Sequence, residues 1–248
     1  MAPLTLKLTL EYEGTDFAGW QLQAQGERTV EGELRAALGR LPGRFDALHA
    51  AGRTDAGAHA EGQAVSLTYD GSVAVQRLTA ALNAHLPDDV AVLSVERVEP
   101  DFHARYSARW RRYRYRYLDR PARPVLERRR CWHVAAPLNV GAMQEAAALL
   151  VGRHDWTTFC SATEPEEDRV REVREAAVRR SAAAIDLDLL GEGFLRGMVR
   201  GVAAGVAEVG LGRRPPSWIA EILRARDRSL GPATAPAKGL TLVEVLYE

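Results

Sequence analysis

The stretch "LTLKLTLE", residues 4–11, alternates Leu4, Leu6, Leu8 and Leu10 with Thr5, Lys7, Thr9 and Glu11. Side chains of an extended chain point alternately to opposite faces, so a period of two predicts a strand with one buried face. Downstream, Thr29 is placed to cap a helix with apolar positions at Val30, Leu34, Ala37, Leu38 and Leu41. Glu31 and Glu33 favour the positive end of its dipole, and Pro42-Gly43 ends it. Phe45–Ala51 reads as a second strand, and Gln63–Tyr69 as a third with Val65, Leu67 and Tyr69 on one face. Val75–Leu86 carries Leu78, Leu82 and Leu86 at helical spacing before Pro87, and Val90–Val98 is a fourth strand. The order β-α-β-β-α-β is that of a ferredoxin-like unit, an antiparallel sheet with helices on one face.

The second half repeats this pattern loosely. Tyr113–Leu118 alternates; Val140–Val151 is helical with Met143, Ala147 and Leu150 on one side. Val170–Arg179 and Ala183–Leu190 form a candidate hairpin. Phe194–Val209 is a predicted helix with Met198, Val202, Val206 and Val209 inward. Arg196 and Arg200 stand four apart on one side of it, with Gly197, Gly201 and Gly205 on the adjacent stripe. A short helix over Ser217–Ala225 precedes a closing strand, Leu240–Tyr247. The expected fold is therefore α+β: two ferredoxin-like halves in pseudo-two-fold arrangement, with a central basic cleft where the sheets meet. Pro100 and Asp101 mark the predicted junction, giving a half over residues 1–100 and a half over 101–248.

Lys+Arg and Asp+Glu balance at 33 each, so overall charge selects no partner, and 46% apolar residues suffice for a core. The distribution of charge is more informative. Residues 105–130 hold eleven arginines against Asp119 and Glu127, so that segment is +9 and the rest of the chain −9. Within it lies "RWRRYRYRY", residues 109–117. On a strand, Tyr113, Tyr115 and Tyr117 share a face with Arg109 and Arg111, while Trp110, Arg112, Arg114 and Arg116 share the other. Arginine grips phosphate and aromatic rings stack on unpaired bases, so the combination points to nucleic acid. The alternative is an edge strand kept soluble by its arginines.

Cys131 and Cys160 fit neither a disulfide framework nor a zinc spacing. His59 and His103 have no third ligand at a recognisable spacing, which favours polar packing or RNA contact over a metal. No apolar run approaches the ~20 residues needed to span a bilayer, and "MAPLTLKLTL" lacks the form of a signal peptide. A cytoplasmic setting is the expectation.

The densest polar chemistry is "AGRTDAGAHA", residues 51–60. Gly52 and Gly57 bracket Asp55, as where a backbone turns tightly or approaches a ligand. If the segment is extended, Arg53 and Asp55 project to one side, and an Arg–Asp pair favours an ionised carboxylate. Such a carboxylate is either part of a structural turn or a nucleophile or general base.

"AGRTDAGAHA" resembles the GRTDxGVHA signature of the tRNA pseudouridine synthase A family. The likeness continues through "EYEGTDFAGWQLQ" (11–23), "NAHLPDDVAV" (83–92), "DFHARYSARWRRYRYRY" (101–117), "GFLRGMVRGVAAGVAEVG" (193–210) and "GPATAPAKGLTL" (231–242). Two departures are Ala58, where the family usually has Val, and Thr241, where an aromatic is common. The resemblance implies an isomerase that converts uridine to pseudouridine at positions 38, 39 and 40 of the tRNA anticodon stem-loop. It implies a homodimer that needs no cofactor and no metal. By motif position it makes Asp55 the catalytic carboxylate, with Arg53 and Arg200 as arginines of the active cleft and Arg200 as an ion-pair partner of Asp55. It makes Tyr113 the residue that stacks on the target base and Leu240 an apolar lining of the uracil pocket. Arg105, Arg112 and Arg114 are candidate RNA contacts. The competing reading is a non-catalytic RNA-binding module, which leaves the Arg53/Asp55 loop without a task. A carboxylate-dependent nucleoside hydrolase is a weaker third reading, because a second acid is missing.

Overall fold

The computed structural model describes residues 3–24, 26–164, 167–182 and 184–248. Ala183, the first residue of one predicted strand, lies outside them. The chain is α+β and forms two compact units, one of residues 1–109 with 242–248, the other of residues 110–241.

The first unit opens with β1 (Leu4–Tyr12), a 3-10 turn at Gly14–Asp16 and α1 (Val30–Leu38). It continues through β2 (Arg44–Ala50), β3 (His59–Asp70), α2 (Val75–Asn83) and β4 (Val90–Arg97). The strand order is β4-β1-β3-β2, with antiparallel pairing throughout. The predicted alternation of β1 holds: Leu6, Leu8, Leu10 and Tyr12 are buried. Leu6 lies opposite Leu67 and Leu8 opposite Val65 on β3. Fully burying each such leucine contributes about 1.5–3 kcal/mol. The Thr29 hydroxyl accepts from the Gly32 N–H at 3.2 Å, which makes the predicted cap of α1. Strand β3 is buried on both faces, more than its alternation implies. Its second face carries Ala64 in a small cluster with Ala51 and Ala104, against which Phe102, Val245 and Tyr247 pack. The Ala104 N–H donates to the Ser66 hydroxyl at 3.0 Å, and the Tyr247 hydroxyl to the Ala104 carbonyl at 3.0 Å.

The second unit contains β5 (Trp110–Asp119), β6 (Trp132–Val134), α3 (Val140–Ala148) and β7 (Gly152–Asp155). Then come β8 (Val170–Ser181), β9 (Ala184–Gly191), α4 (Met198–Gly210) and α5 (Ser217–Ala225). Its sheet runs β5-β9-β8-β7 antiparallel, and β6 pairs parallel with β5. Strands β6 and β7 are three and four residues long, too short for their alternation to register in the sequence. The last strand, β10 (Leu240–Leu246), lies beside β3 and carries the chain into the first unit at Leu242.

Helix α4 corrects one sequence expectation. It begins at Met198 rather than Phe194, because Gly197 takes a left-handed conformation (φ 72°) that a helix interior cannot contain. Arg196 therefore lies outside the helix, and no shared helical side joins it to Arg200. The Arg196 backbone instead accepts from the Ser161 N–H at 2.7 Å and donates to the Glu164 carboxylate. A Cβ on Gly201 would meet the Phe159 backbone, and one on Gly205 the Ile219 and Phe159 side chains.

The tyrosine face of β5 is core. Tyr115 and Tyr117 are buried, and their hydroxyls donate to the Pro236 and Ala203 carbonyls, each at 2.8 Å. We expect Tyr117→Phe to cost about 1 kcal/mol in urea unfolding, since one buried acceptor loses its donor. Tyr117→Ala should cost about 3–5 kcal/mol, because it also leaves a cavity.

At the end of β5, Arg180 donates to both oxygens of Asp119, at 2.8 and 2.7 Å. That bond holds the Asp119 carboxyl below the ordinary carboxylate range; burial opposes the shift, and the Leu138 N–H assists it. A depressed carboxylate contributes stability above its unfolded value of about 3.9, lost as pH falls through the folded value. Arg180→Ala should therefore raise the midpoint of acid unfolding followed by circular dichroism.

Candidate active site

Residues 51–58 connect β2 to β3; the chain bends at 51–52 and turns at 56–57, on either side of the segment that carries Arg53 and Asp55. The backbone of this turn is bound to the segment after β1. The Trp20 N–H donates to the Thr54 carbonyl at 3.1 Å and the Gly57 N–H to the Phe17 carbonyl at 3.2 Å. The turn closes on itself through the Ala58 N–H and the Asp55 carbonyl at 3.1 Å. Gly57 takes the left-handed φ of 78° expected of a bracketing glycine.

Side chains tie the turn down further. The Tyr12 and Thr54 hydroxyls are 2.8 Å apart in the interior. The Gln63 amide donates to the Gly52 carbonyl at 2.8 Å and to the Tyr12 hydroxyl at 3.4 Å. Burial pushes the Tyr12 hydroxyl up to about 12, against its bonds to Thr54 and Gln63, so it is a neutral link at working pH. The Gly14 N–H donates to His59 Nδ1 at 3.0 Å, and a Glu13 carboxylate oxygen lies 3.7 Å from the same nitrogen. Thr54, Ala58 and His59 are buried, Asp55 is half-buried and Arg53 is exposed. The turn thus holds one carboxylate at the surface between buried anchors.

The strap that makes this possible is "EYEGTDFAGW", residues 11–20, which runs on from the end of β1. A Cβ on Gly14 would stand 1.8 Å from the Ala58 carbonyl oxygen, so only glycine allows the two backbones to approach so closely. Tyr12 and Gln63 were not singled out as site residues. Their signal is a polar group on the buried face of a strand, which must find a partner within the fold.

In the second unit, Tyr113 is 7% exposed on β5, its ring meeting Phe194 edge-on at 5.1 Å. Arg200 on α4 is tied to the segment before β10: its Nε donates to the Ala235 carbonyl at 2.7 Å, and the Ala235 N–H to the Arg200 carbonyl at 3.2 Å. The adjoining Pro236 carbonyl receives the Tyr115 hydroxyl, whose titration is raised by burial against the opposing charge of Arg200. Leu240 is buried where β10 begins. Tyr113, Arg200 and Leu240 thus stand on three elements cross-linked through Tyr115 and residues 235–236.

The basic face of β5 carries internal partners. Arg114 Nε lies 3.0 Å from Asp188, Arg116 makes two bonds of 2.8 and 2.9 Å to Asp186, and Arg112 lies 3.1 Å from Glu175. These arginines offer a phosphate a cation already shared with a carboxylate, which the charge tally over residues 105–130 does not show. Arg105 is exposed on the first unit. Cys131 and Cys160 are buried free thiols, each raised by burial. Among the described residues no group of three His, Cys, Asp or Glu is placed to hold a metal ion, and no helix is long and apolar enough to cross a membrane.

The site is one half-buried carboxylate presented from a fixed turn, on an α+β chain with arginine-rich strands. Residues 9–107 and 146–248 match the tRNA pseudouridine synthase family, and the chain belongs to that family. It is 44% identical over 243 residues to a tRNA pseudouridine synthase A of Moorella thermoacetica, covering 98% of this chain and 99% of that one. It is 45% identical over 245 residues to the protein so named from Thermus thermophilus, covering 98% and 96%. The relative from Brevibacillus brevis is 43% identical over 242 residues, covering 98% and 99%.

Proposed function

We propose that this chain isomerises uridine to pseudouridine in tRNA, at positions 38, 39 and 40 of the anticodon stem-loop, with Asp55 as nucleophile or general base. The observation that carries the reading is the strapped turn at residues 52–58, which spends buried hydrogen bonds on fixing one half-buried carboxylate. Holding a reacting group in place is how an enzyme removes much of the entropic barrier. A non-catalytic RNA-binding module would leave that arrangement without a task.

The target base is stacked in its RNA and must be extruded, at a cost of a few kcal/mol that pocket contacts offset. In this reading Tyr113 stacks on the extruded uracil and Leu240 closes the apolar side. Asp55 initiates cleavage of the C1′–N1 bond. The uracil rotates without leaving, C5 bonds to C1′, the C5 proton departs to solvent and the freed N1 takes up a proton, so atoms and charge balance between uridine and its isomer. Arg53 and Arg200 are the arginines of the active site that accompany Asp55, and Arg105, Arg112 and Arg114 are the candidate RNA contacts.

We propose further that each unit is a ferredoxin-like half, and that the chain works as a homodimer. The order β4-β1-β3-β2 of the first unit, and β5-β9-β8 of the second, which matches its β1-β3-β2, support the first. Sedimentation tests the second: twice the chain mass is expected, and the mass of a single chain overturns it. The function itself is tested by tritium release from tRNA labelled at uridine C5. Release with retention of the uracil ring is expected, and binding without release would return the chain to the RNA-binding module.

A further inference from the structure

Outside the Asp55 turn, the first unit carries a stack of rings that nothing above employs. His49 lies against His103 with ring centroids 4.4 Å apart and planes at 24°. Tyr106 lies 4.4 Å from the same His103 ring at 38°. Tyr106 is 77% exposed, and the Arg105 guanidinium stands 5.8 Å from its ring centroid.

The stack is built rather than incidental. The backbone N–H groups of Arg105 and Tyr106 both donate to His103 Nδ1, at 3.1 and 3.3 Å. Ser107 closes the turn, its hydroxyl accepting from the His103 N–H at 3.1 Å and its own N–H donating to the His103 carbonyl at 2.9 Å. His49 reaches the stack because the β2–β3 register shifts between Asp46 and His49. At that bulge Ala47 takes a left-handed φ of 51°, uncommon for a residue with a Cβ. Backbone conformations of this kind persist where the surrounding structure requires them, and bulges re-aim side chains. Burial, and then the neighbouring charges of His49 and Arg105, lower the titration of His103, which keeps the middle ring neutral.

We propose that Tyr106, backed by His103 and His49, is a stacking platform for an unpaired base of the tRNA, with Arg105 on the adjoining phosphate. Every base has a π-face, and a ring whose orientation is already fixed loses little freedom when a base settles on it. The guanidinium beside the ring matches the charge that accompanies each base in RNA. A single exposed tyrosine would need no explanation; a tyrosine whose ring lies against an imidazole that is itself stacked on a second imidazole does. The proposal rests on the tRNA substrate proposed above and adds a contact remote in sequence from the Asp55 turn.

The test is equilibrium binding of an unmodified tRNA transcript by the full-length chain across a salt series, for wild type, Tyr106→Ala, Tyr106→Phe and Arg105→Ala. Tyr106→Ala should weaken binding about tenfold at each salt concentration, the loss typical of removing one stacked base. The slope of log affinity against log salt should not change, because no phosphate contact is lost. Tyr106→Phe keeps the ring and should stay within about twofold of wild type. Arg105→Ala should reduce the slope by about one. Wild-type affinity in Tyr106→Ala, or equal losses in Tyr106→Ala and Tyr106→Phe, overturns the platform. The synthase reading fails separately: a wild-type chain that binds tRNA, shows these variant effects and forms no pseudouridine leaves the platform standing alone.

Discussion

Asp55→Asn should lower tritium release from C5-labelled tRNA by about a thousandfold or more, the scale on which a positioned acid–base or nucleophilic group acts. Asparagine keeps the size and shape of the side chain and removes its capacity to attack or accept a proton. The frame should survive the change. The bonds that bind the turn run through Gly52, Thr54, Gly57 and His59 and through the Asp55 backbone carbonyl. Thermal unfolding should therefore shift little, and tRNA binding should remain within about threefold of wild type. Undiminished turnover would remove Asp55 from the chemistry, whatever its geometry.

Gly14→Ala should be nearly as damaging, although Gly14 carries no functional group. Its added Cβ would lie 1.8 Å from the Ala58 carbonyl oxygen and 2.6 Å from the carbonyl carbon, and both are backbone atoms that cannot rotate away. Either the strap or the turn must move by more than an ångström. Displacements of that size cost about a hundredfold in rate, and overpacking costs about 1–3 kcal/mol in stability. We expect kcat to fall by about two orders of magnitude, with a lowered Tm. Gly141→Ala is the matched control: its Cβ would meet only the Asn139 Oδ1 at 3.4 Å, on a helix where alanine is favoured. That variant should show wild-type rates. If Gly14→Ala matches it, the strap does not position the turn.

Much of the first unit was legible because it is built from strong periods. Leu4 to Leu10 and Val65 to Tyr69 alternate without interruption, and Leu78 and Leu82 mark a helix ended by a proline. What escaped was set by contacts distant in sequence. Strand β3 is buried on its second face by residues from 102–104 and 245–247, which a local period does not reveal. The start of α4 moved four residues because the conformation of Gly197 decides it, and apolar spacing carries no information about φ.

The candidate site was legible in part. The glycines and Asp55 stood out by composition, but the ties made by Tyr12 and Gly14 of the strap and by Gln63 of β3 are visible only once β1 and β3 are paired. The arginines of β5 illustrate the opposite error. Arg112, Arg114 and Arg116 read as a bare cationic face until β8 and β9 bring Glu175, Asp186 and Asp188 beside them. A charge tally along one segment counts none of the acids that folding delivers from elsewhere.

The most direct measurement is nucleotide-resolution mapping of pseudouridine in a tRNA transcript incubated with the wild-type chain and with Asp55→Asn. We predict pseudouridine at positions 38, 39 or 40 with the wild type and none with the variant. A transcript left unmodified by the wild type, or modified equally by both, would contradict the account.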